Sequence, residues 1–306
     1  MKENIGNVSM KMEGGLVEKN GERVRHVEKD DYVKRVIVKK RKHCHSSNVK
    51  KPISNKALQK LFVSCKETFK GPHTVPSSKY VHKLCHILDN MKPEDVGLCK
   101  DLQFFKPENI FKENLRVTYT TIYKCDNFSL CIFFLPAKGV IPLHNHPGMT
   151  VFSKLLLGQM HIKSYDWVDP DVSHNLLKQP SQCMYIKFNL AHLLLFAVRL
   201  AKLKANKVFT SPCDTSVLYP KTGGNIHEFT AITPCAVLDV IGPPYSKDDG
   251  RDCSYYRDHP YTSFPNGEIA ELKEENESYG WLEEIEMPEN SQMDGIEYLG
   301  PPIIEN

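Results

Sequence analysis

None of the ten cysteines stands in a C-x-x-C pair. That removes the ligand spacing of a zinc ribbon and the dithiol of a redox motif, and it leaves reduced thiols in a cytosolic or nuclear protein as the simpler reading. No apolar stretch follows Met1, so no secretory signal is expected. No uncharged run reaches the ~20 residues that a spanning helix needs, so no membrane contact is expected. Basic residues are nearly missing from one end: residues 268–306 carry 12 acidic side chains and one base, Lys273, whereas the first 60 residues carry 16 Lys or Arg against 7 acids. The net charge of +3 hides this polarity, which marks solvated, partner-facing ends.

Residues 1–52 mix charge with Gly and Ser, show no sustained periodicity, and are expected to be disordered. Their cluster Lys39, Lys40, Arg41, Lys42 suits a nuclear localisation signal or a solvated charge run. Nucleus and cytoplasm are the expected locations, with no direct contact to nucleic acid. One domain is expected over residues 53–267, with the acidic segment 268–306 packing on it or trailing from it.

Hydrophobic residues at 41% and charged residues at 25% can supply a buried core. Leu58, Leu61, Phe62, Cys65 and Phe69 recur at helical spacing, as do Val81, Leu84, Leu88 and Met91, with Ser77 or Ser78 as a cap and Pro93 beyond the end. From Arg116 the period changes to two. Runs rich in Val, Ile, Thr, Tyr and Phe at 116–123, 128–135, 149–157, 159–166, 215–219, 226–233 and 235–241 are separated by turn residues. Many short strands at that spacing predict a sandwich or a barrel.

His144 and His146 flank Asn145 after Pro142, and an extended chain points residues i and i+2 to one face. Two neutral imidazoles there are half of a metal site; the alternative is a surface pair in a loop. A Gly-rich turn, Gly223 and Gly224, feeds a strand on which His227, Phe229 and Ala231 share a face, so His227 is expected to point inward from the opposite wall. His161 competes as a ligand but shares a face with Lys163 and Tyr165 that reads as solvated. Asp239 interrupts the apolar run 235–241 on the face of Val237. A carboxylate buried there costs several kcal/mol unless paired, so a partner is expected. Tyr245 is either a rim phenol that positions substrate or oxygen, or an aromatic covering a turn.

The H-x-H pair, the later histidine after a P-x-x-G-G turn and the strand-rich surroundings resemble the two motifs of a cupin. That resemblance implies a mainly β, double-stranded β-helix (a jelly-roll barrel) with short N-terminal helices. Where a cupin has Glu after the second His this chain has Thr150 and Val151, which leaves three histidines, as in thiol dioxygenases. The match narrows further. The run from Lys92 to Gly97, the stretch from Gly139 through His144 and His146 to Phe152, Tyr165-Asp166-Trp167-Val168, Pro212-Cys213-Asp214, Gly223-Gly224-Asn225-Ile226-His227 and the run from Ala236 to Tyr245 together resemble the plant cysteine oxidases, relatives of cysteamine dioxygenase.

The resemblance implies Fe(2+) on His144, His146 and His227, with Asp239 and Tyr245 as catalytic residues. It also implies O2 as co-substrate and oxidation of an N-terminal cysteine on protein substrates to sulfinic acid. That product feeds an N-degron degradation pathway, with group VII ethylene-response transcription factors among the substrates, in a hypoxia response carried out by a monomer. Oxidation of a small thiol such as cysteine or cysteamine, or a non-catalytic cupin that binds a partner, are the competing readings. Cys253 and Tyr255 resemble the Cys-Tyr pair considered for crosslinking in thiol dioxygenases; free thiols are expected. Residues 176–198 depart from the family, which has a short connection there, and read as an added amphipathic helix or as translated intron.

Overall fold

The computed structural model describes residues 55–99, 116–168, 198–263 and 279–305. The basic segment 1–52 with its cluster at 39–42, and residues 176–197 of the atypical stretch, lie outside the described residues.

Two helices come first, α1 (Lys56–Thr68) and α2 (Ser78–Asp89). Asn55 caps α1 by accepting the N–H groups of Ala57 and Leu58 at 2.8 and 3.3 Å. Ser77 is the cap residue of α2, but through its carbonyl and not its hydroxyl. Leu58, Leu61, Phe62 and Cys65 of α1 pack with Val81, Leu84, Ile87 and Leu88 of α2 against Leu130, Ile132, Phe152, Leu238 and Val240. The predicted apolar stripes therefore meet the outer face of a sheet.

That sheet contains, in spatial order, β12 (Asp294–Gly295), β1 (Thr118–Lys124), β2 (Ser129–Leu135), β9 (Cys235–Gly242), β4 (Thr150–Leu157) and β7 (Ser216–Leu218). The second sheet closes on itself in the order β10 (Tyr255–Pro260), β11 (Tyr279–Ile285), β6 (Val198–Thr210), β5 (Gln159–Trp167), β8 (Ile226–Ala231) and β3 (Val140–His144). The expected mainly β jelly-roll barrel with short N-terminal helices is what the chain forms.

Between the sheets, Leu135, Leu155, Cys235 and Val237 of the first meet Ile141, Met160, Ile162, Phe229 and Ala231 of the second. Each strand is apolar on this face because successive residues alternate sides. The described part of the acidic segment, residues 279–305, joins the two sheets: β11 lies between β10 and β6, with Trp281 and Leu282 buried, and β12 pairs with β1. Among the described residues no helix is long and apolar enough to cross a membrane.

Candidate metal centre

His144 ends β3, and a register shift between Ile141 and His144 in the pairing with β8 brings residues three apart onto one face. Ile141 then joins the inter-sheet core while His144 stands directly opposite His227. The expectation that His227 would face the pair from the opposite wall is corrected here: it is on the neighbouring strand of the same sheet, placed by register.

His146 follows on the turn beyond β3. The ring centroids of 144, 146 and 227 form a near-equilateral triangle with sides of 4.7, 4.9 and 4.9 Å. Their candidate ligand nitrogens all lie within 4.8 Å of one another, and this is the metal-competent group of three found among the described residues. Asn145, between the two histidines, pairs with Ser254 through its backbone N–H and side-chain oxygen, and its amide reaches the Tyr256 hydroxyl at 3.1 Å. Those bonds tie the pair to β10 where the second sheet closes.

His144, His146 and His227 are 9%, 3% and 3% exposed, so all three are buried. Burial pushes the pKa of His144 down and those of His146 and His227 well down, and for the latter two the neighbouring rings add to it. All three are therefore neutral near pH 7, which is the form that ligates a metal.

Hydrogen bonds fix which nitrogen carries the proton. The Pro142 carbonyl, 2.7 Å from His144 Nδ1, can only accept, so Nδ1 is the donor there. The Tyr245 hydroxyl lies 2.8 Å from the Asn145 carbonyl and 2.8 Å from His146 Nδ1. Both contacts are satisfied at once when the phenol donates to the carbonyl and accepts from Nδ1–H. His146 Nε2 is then a bare lone pair, buried, with no hydrogen-bond partner. A buried acceptor left open among neutral imidazoles fits a resident metal ion.

Asp239 lies on β9 in the facing sheet, opposite Ser153 and Cys131, and is 4% exposed. Burial pushes its carboxyl up to about 7, with the Ser153 hydroxyl pulling the other way. Its Oδ1 has no hydrogen-bond partner. Tyr245 stands against His146 and not free at a rim. The Cys253 Sγ lies 3.9 Å from the Ser254 carbonyl, and burial pushes the thiol up. His161 is separate from this group: its Nε2 meets Asn206 Oδ1 at 2.7 Å on a partly exposed face.

Sequence reasoning gave no role to Asp166 or Asn225. Asn225 accepts from the His146 N–H at 3.1 Å and donates to the His146 carbonyl at 2.8 Å, while Asp166 accepts from the N–H groups of Gly223, Gly224 and Asn225. The signal was the adjacent pair Gly223 and Gly224, at φ +86° and +85°, a backbone that side chains resist.

The family model PCO_ADO matches residues 87–303. The chain is 50% identical over 251 residues to plant cysteine oxidase 2 of Arabidopsis thaliana, covering 81% of this chain and 83% of that one. It is 46% identical over 255 residues to plant cysteine oxidase 1 of the same species, covering 81% and 80%. Against the 2-aminoethanethiol dioxygenase of Homo sapiens it is 31% identical over 225 residues, covering 72% and 80%.

Proposed function

Because the chain belongs to the PCO_ADO family of thiol dioxygenases, we propose that it holds ferrous iron on His144, His146 and His227 and oxidises the N-terminal cysteine of protein substrates to cysteine sulfinic acid with O2. The observation that carries the reading is the open Nε2 of His146, buried within a triangle of neutral imidazoles. The reaction is balanced without a further reductant: the thiol sulfur gives up four electrons, O2 takes four, and both oxygen atoms end on sulfur.

Ferrous iron on such a ligand set supplies a full 2+ charge that acidifies an incoming thiol and a redox centre for O2. The protein's own groups do the rest. Tyr245 holds the His146 ring in one tautomer, and the Pro142 carbonyl does the same for His144. The carboxyl of Asp239, with its free Oδ1, is the acceptor that a substrate's terminal ammonium or thiol proton meets inside the barrel. A carboxyl held near neutrality by burial exchanges protons at physiological pH.

The resemblance to the plant cysteine oxidases carries the proposal of a protein N-terminal cysteine as substrate, and oxidation of a small thiol is the competing reading. On that basis the product commits its substrates to an N-degron degradation pathway in oxygen sensing, since sulfinic acid is a largely irreversible stage of cysteine oxidation. Group VII ethylene-response factors are the proposed substrates, and the protein works as a monomer in nucleus and cytoplasm. Mass spectrometry of a Cys-initiated peptide incubated aerobically with the iron-loaded protein tests the reading. A gain of two oxygen atoms on the terminal cysteine supports it, and turnover of cysteamine or cysteine but not of the peptide defeats it.

A further inference from the structure

We infer that Asn225, seated by Asp166, is the positioning residue that fixes His146 relative to His227 and thereby sets how tightly the three-histidine site retains its metal. The inference rests on the metal reading of the triad.

His144 and His227 are held by the β3–β8 ladder, but His146 lies beyond the end of β3 and before β4, with no strand partner. Its N–H goes to Asn225 Oδ1, and its carbonyl receives Asn225 Nδ2. One side-chain amide thus takes both polar groups of a single residue, as a neighbouring strand would. The second proton of the Asn225 amide goes to the Tyr219 carbonyl at 2.8 Å, so three bonds fix the carboxamide plane. Because Asn225 precedes His227 by two residues, one short rigid lever carries both ligands.

The lever has its own seat. Asp166 Oδ1 accepts from the N–H groups of Gly224 and Asn225 at 2.8 and 3.1 Å, and Oδ2 accepts from Gly223 at 3.0 Å. Asp166 is 7% exposed, and besides Lys204 Nζ at 3.8 Å its carboxylate is satisfied by the three N–H groups of the turn, which a buried polar group favours strongly over none. A Cβ on Gly224 would come within 2.5 Å of Ser164 Oγ, which is why glycine occupies that position. Asp166 follows Ser164 on β5, and Ser164 is paired with His227, so the seat is built on the strand beside the ligand strand. None of these atoms needs to touch the metal; their effect reaches it through the backbone of His146.

The test compares Asn225→Ala and Asp166→Asn with Asn206→Ala, which removes the outer-face bond to His161. Each full-length protein is loaded anaerobically with iron(II) or cobalt(II). Three quantities are read: the rate at which a chelator strips the metal, the visible spectrum of the cobalt form, and the melting temperature with and without metal. For Asn225→Ala we expect retention about 10–100-fold weaker and a shifted cobalt spectrum, in the range seen when residues supporting a metal ligand are removed. Asp166→Asn moves both the same way by less, and Asn206→Ala moves neither. Should Asn225→Ala not fold without metal, Asn225→Ser, whose hydroxyl replaces only part of the bonding, is read by the same criteria. Wild-type stripping rates and spectrum in the Asn225 variant, or an equal melting loss with and without metal, overturn the inference. A wild-type protein that takes up neither ion overturns the metal reading beneath it instead.

Discussion

His144 and His227 sit directly opposite each other in the antiparallel pairing of β3 with β8, their ring centroids 4.7 Å apart. Opposed residues on paired strands project to the same face, so sheet register alone brings two ligands together before any metal is considered. Residues that serve one ion act as a unit. His144→Ala and His227→Ala are each expected to abolish measurable peptide oxidation, and the double variant to lose no more than either single one. Oxygen uptake with a Cys-initiated peptide, with iron content measured in parallel, checks this. Multiplicative losses in the double variant would show that the two rings work separately.

The Tyr245 phenol gives a second test, since it joins the Asn145 carbonyl to His146 Nδ1. Tyr245→Phe keeps the ring and removes the oxygen, leaving a buried acceptor and donor unpaired at an expected stability loss of about 1–3 kcal/mol. Iron retention under a chelator should fall by about 10–100-fold, because the His146 ring loses the contact that selects its tautomer. Chemical denaturation and stripping kinetics read the two effects apart.

Asp239 makes stability depend on pH in a defined direction. Its carboxyl is raised by burial from the ordinary range to about 7. Between those limits the folded state binds the proton more tightly than the unfolded chain, so the stability that Asp239 itself contributes to the metal-free protein is fullest in acid and is lost as pH rises to neutrality, opposite in sign to the three buried histidines. Asp239→Asn removes that loss. The metal-free variant should gain over wild type as pH climbs from about 4 to about 7, by up to about 4 kcal/mol, and the gain should level off above. Peptide oxidation should fall at the same time. Urea denaturation across pH checks the sign, and a gain that shrinks with rising pH would overturn it.

The barrel was legible where strands alternate in local sequence: β1, β2, β4, β5, β7, β8 and β9 begin and end within two residues of the predicted runs. Helices α1 and α2 were legible from their apolar spacing. Other strands were not. β3 contains Pro142, which cannot donate to a ladder; β6 carries Arg199, Lys202, Lys204 and Lys207; β11 lies in the acidic tail and is anchored by Trp281 and Leu282. At the centre, the three histidines could be picked out from the family-like context, but their triangle depends on a register shift that spacing does not encode. The bonds from the Gly223–Asn225 turn to Asp166 and between Asn225 and His146 join residues separated by 57 to 79 positions, and only the doubled glycine hinted at them.

Ser153 and Lys154 show how sharply one strand separates two roles. Ser153 faces inward to Asp239, while the next residue faces the helices, its ammonium bonded to the Cys213 carbonyl and 3.7 Å from Asp89. The Lys154 side chain is 5% exposed, whereas Asp89 is 34% exposed and also binds Thr215 through its N–H and hydroxyl. Removing the lysine therefore strands a carbonyl but not a buried carboxylate. Lys154→Met, which fills most of the same volume, should lower stability by about 1–3 kcal/mol and not by the larger amount that follows when a buried charge loses its partner. Because the side chain lies on the outer face, the rate of peptide oxidation by folded, iron-loaded Lys154→Met should match wild type. A loss of turnover without loss of iron in that variant would mean that the outer face of β4 bears on the chemistry, contrary to the division of labour drawn from its alternation.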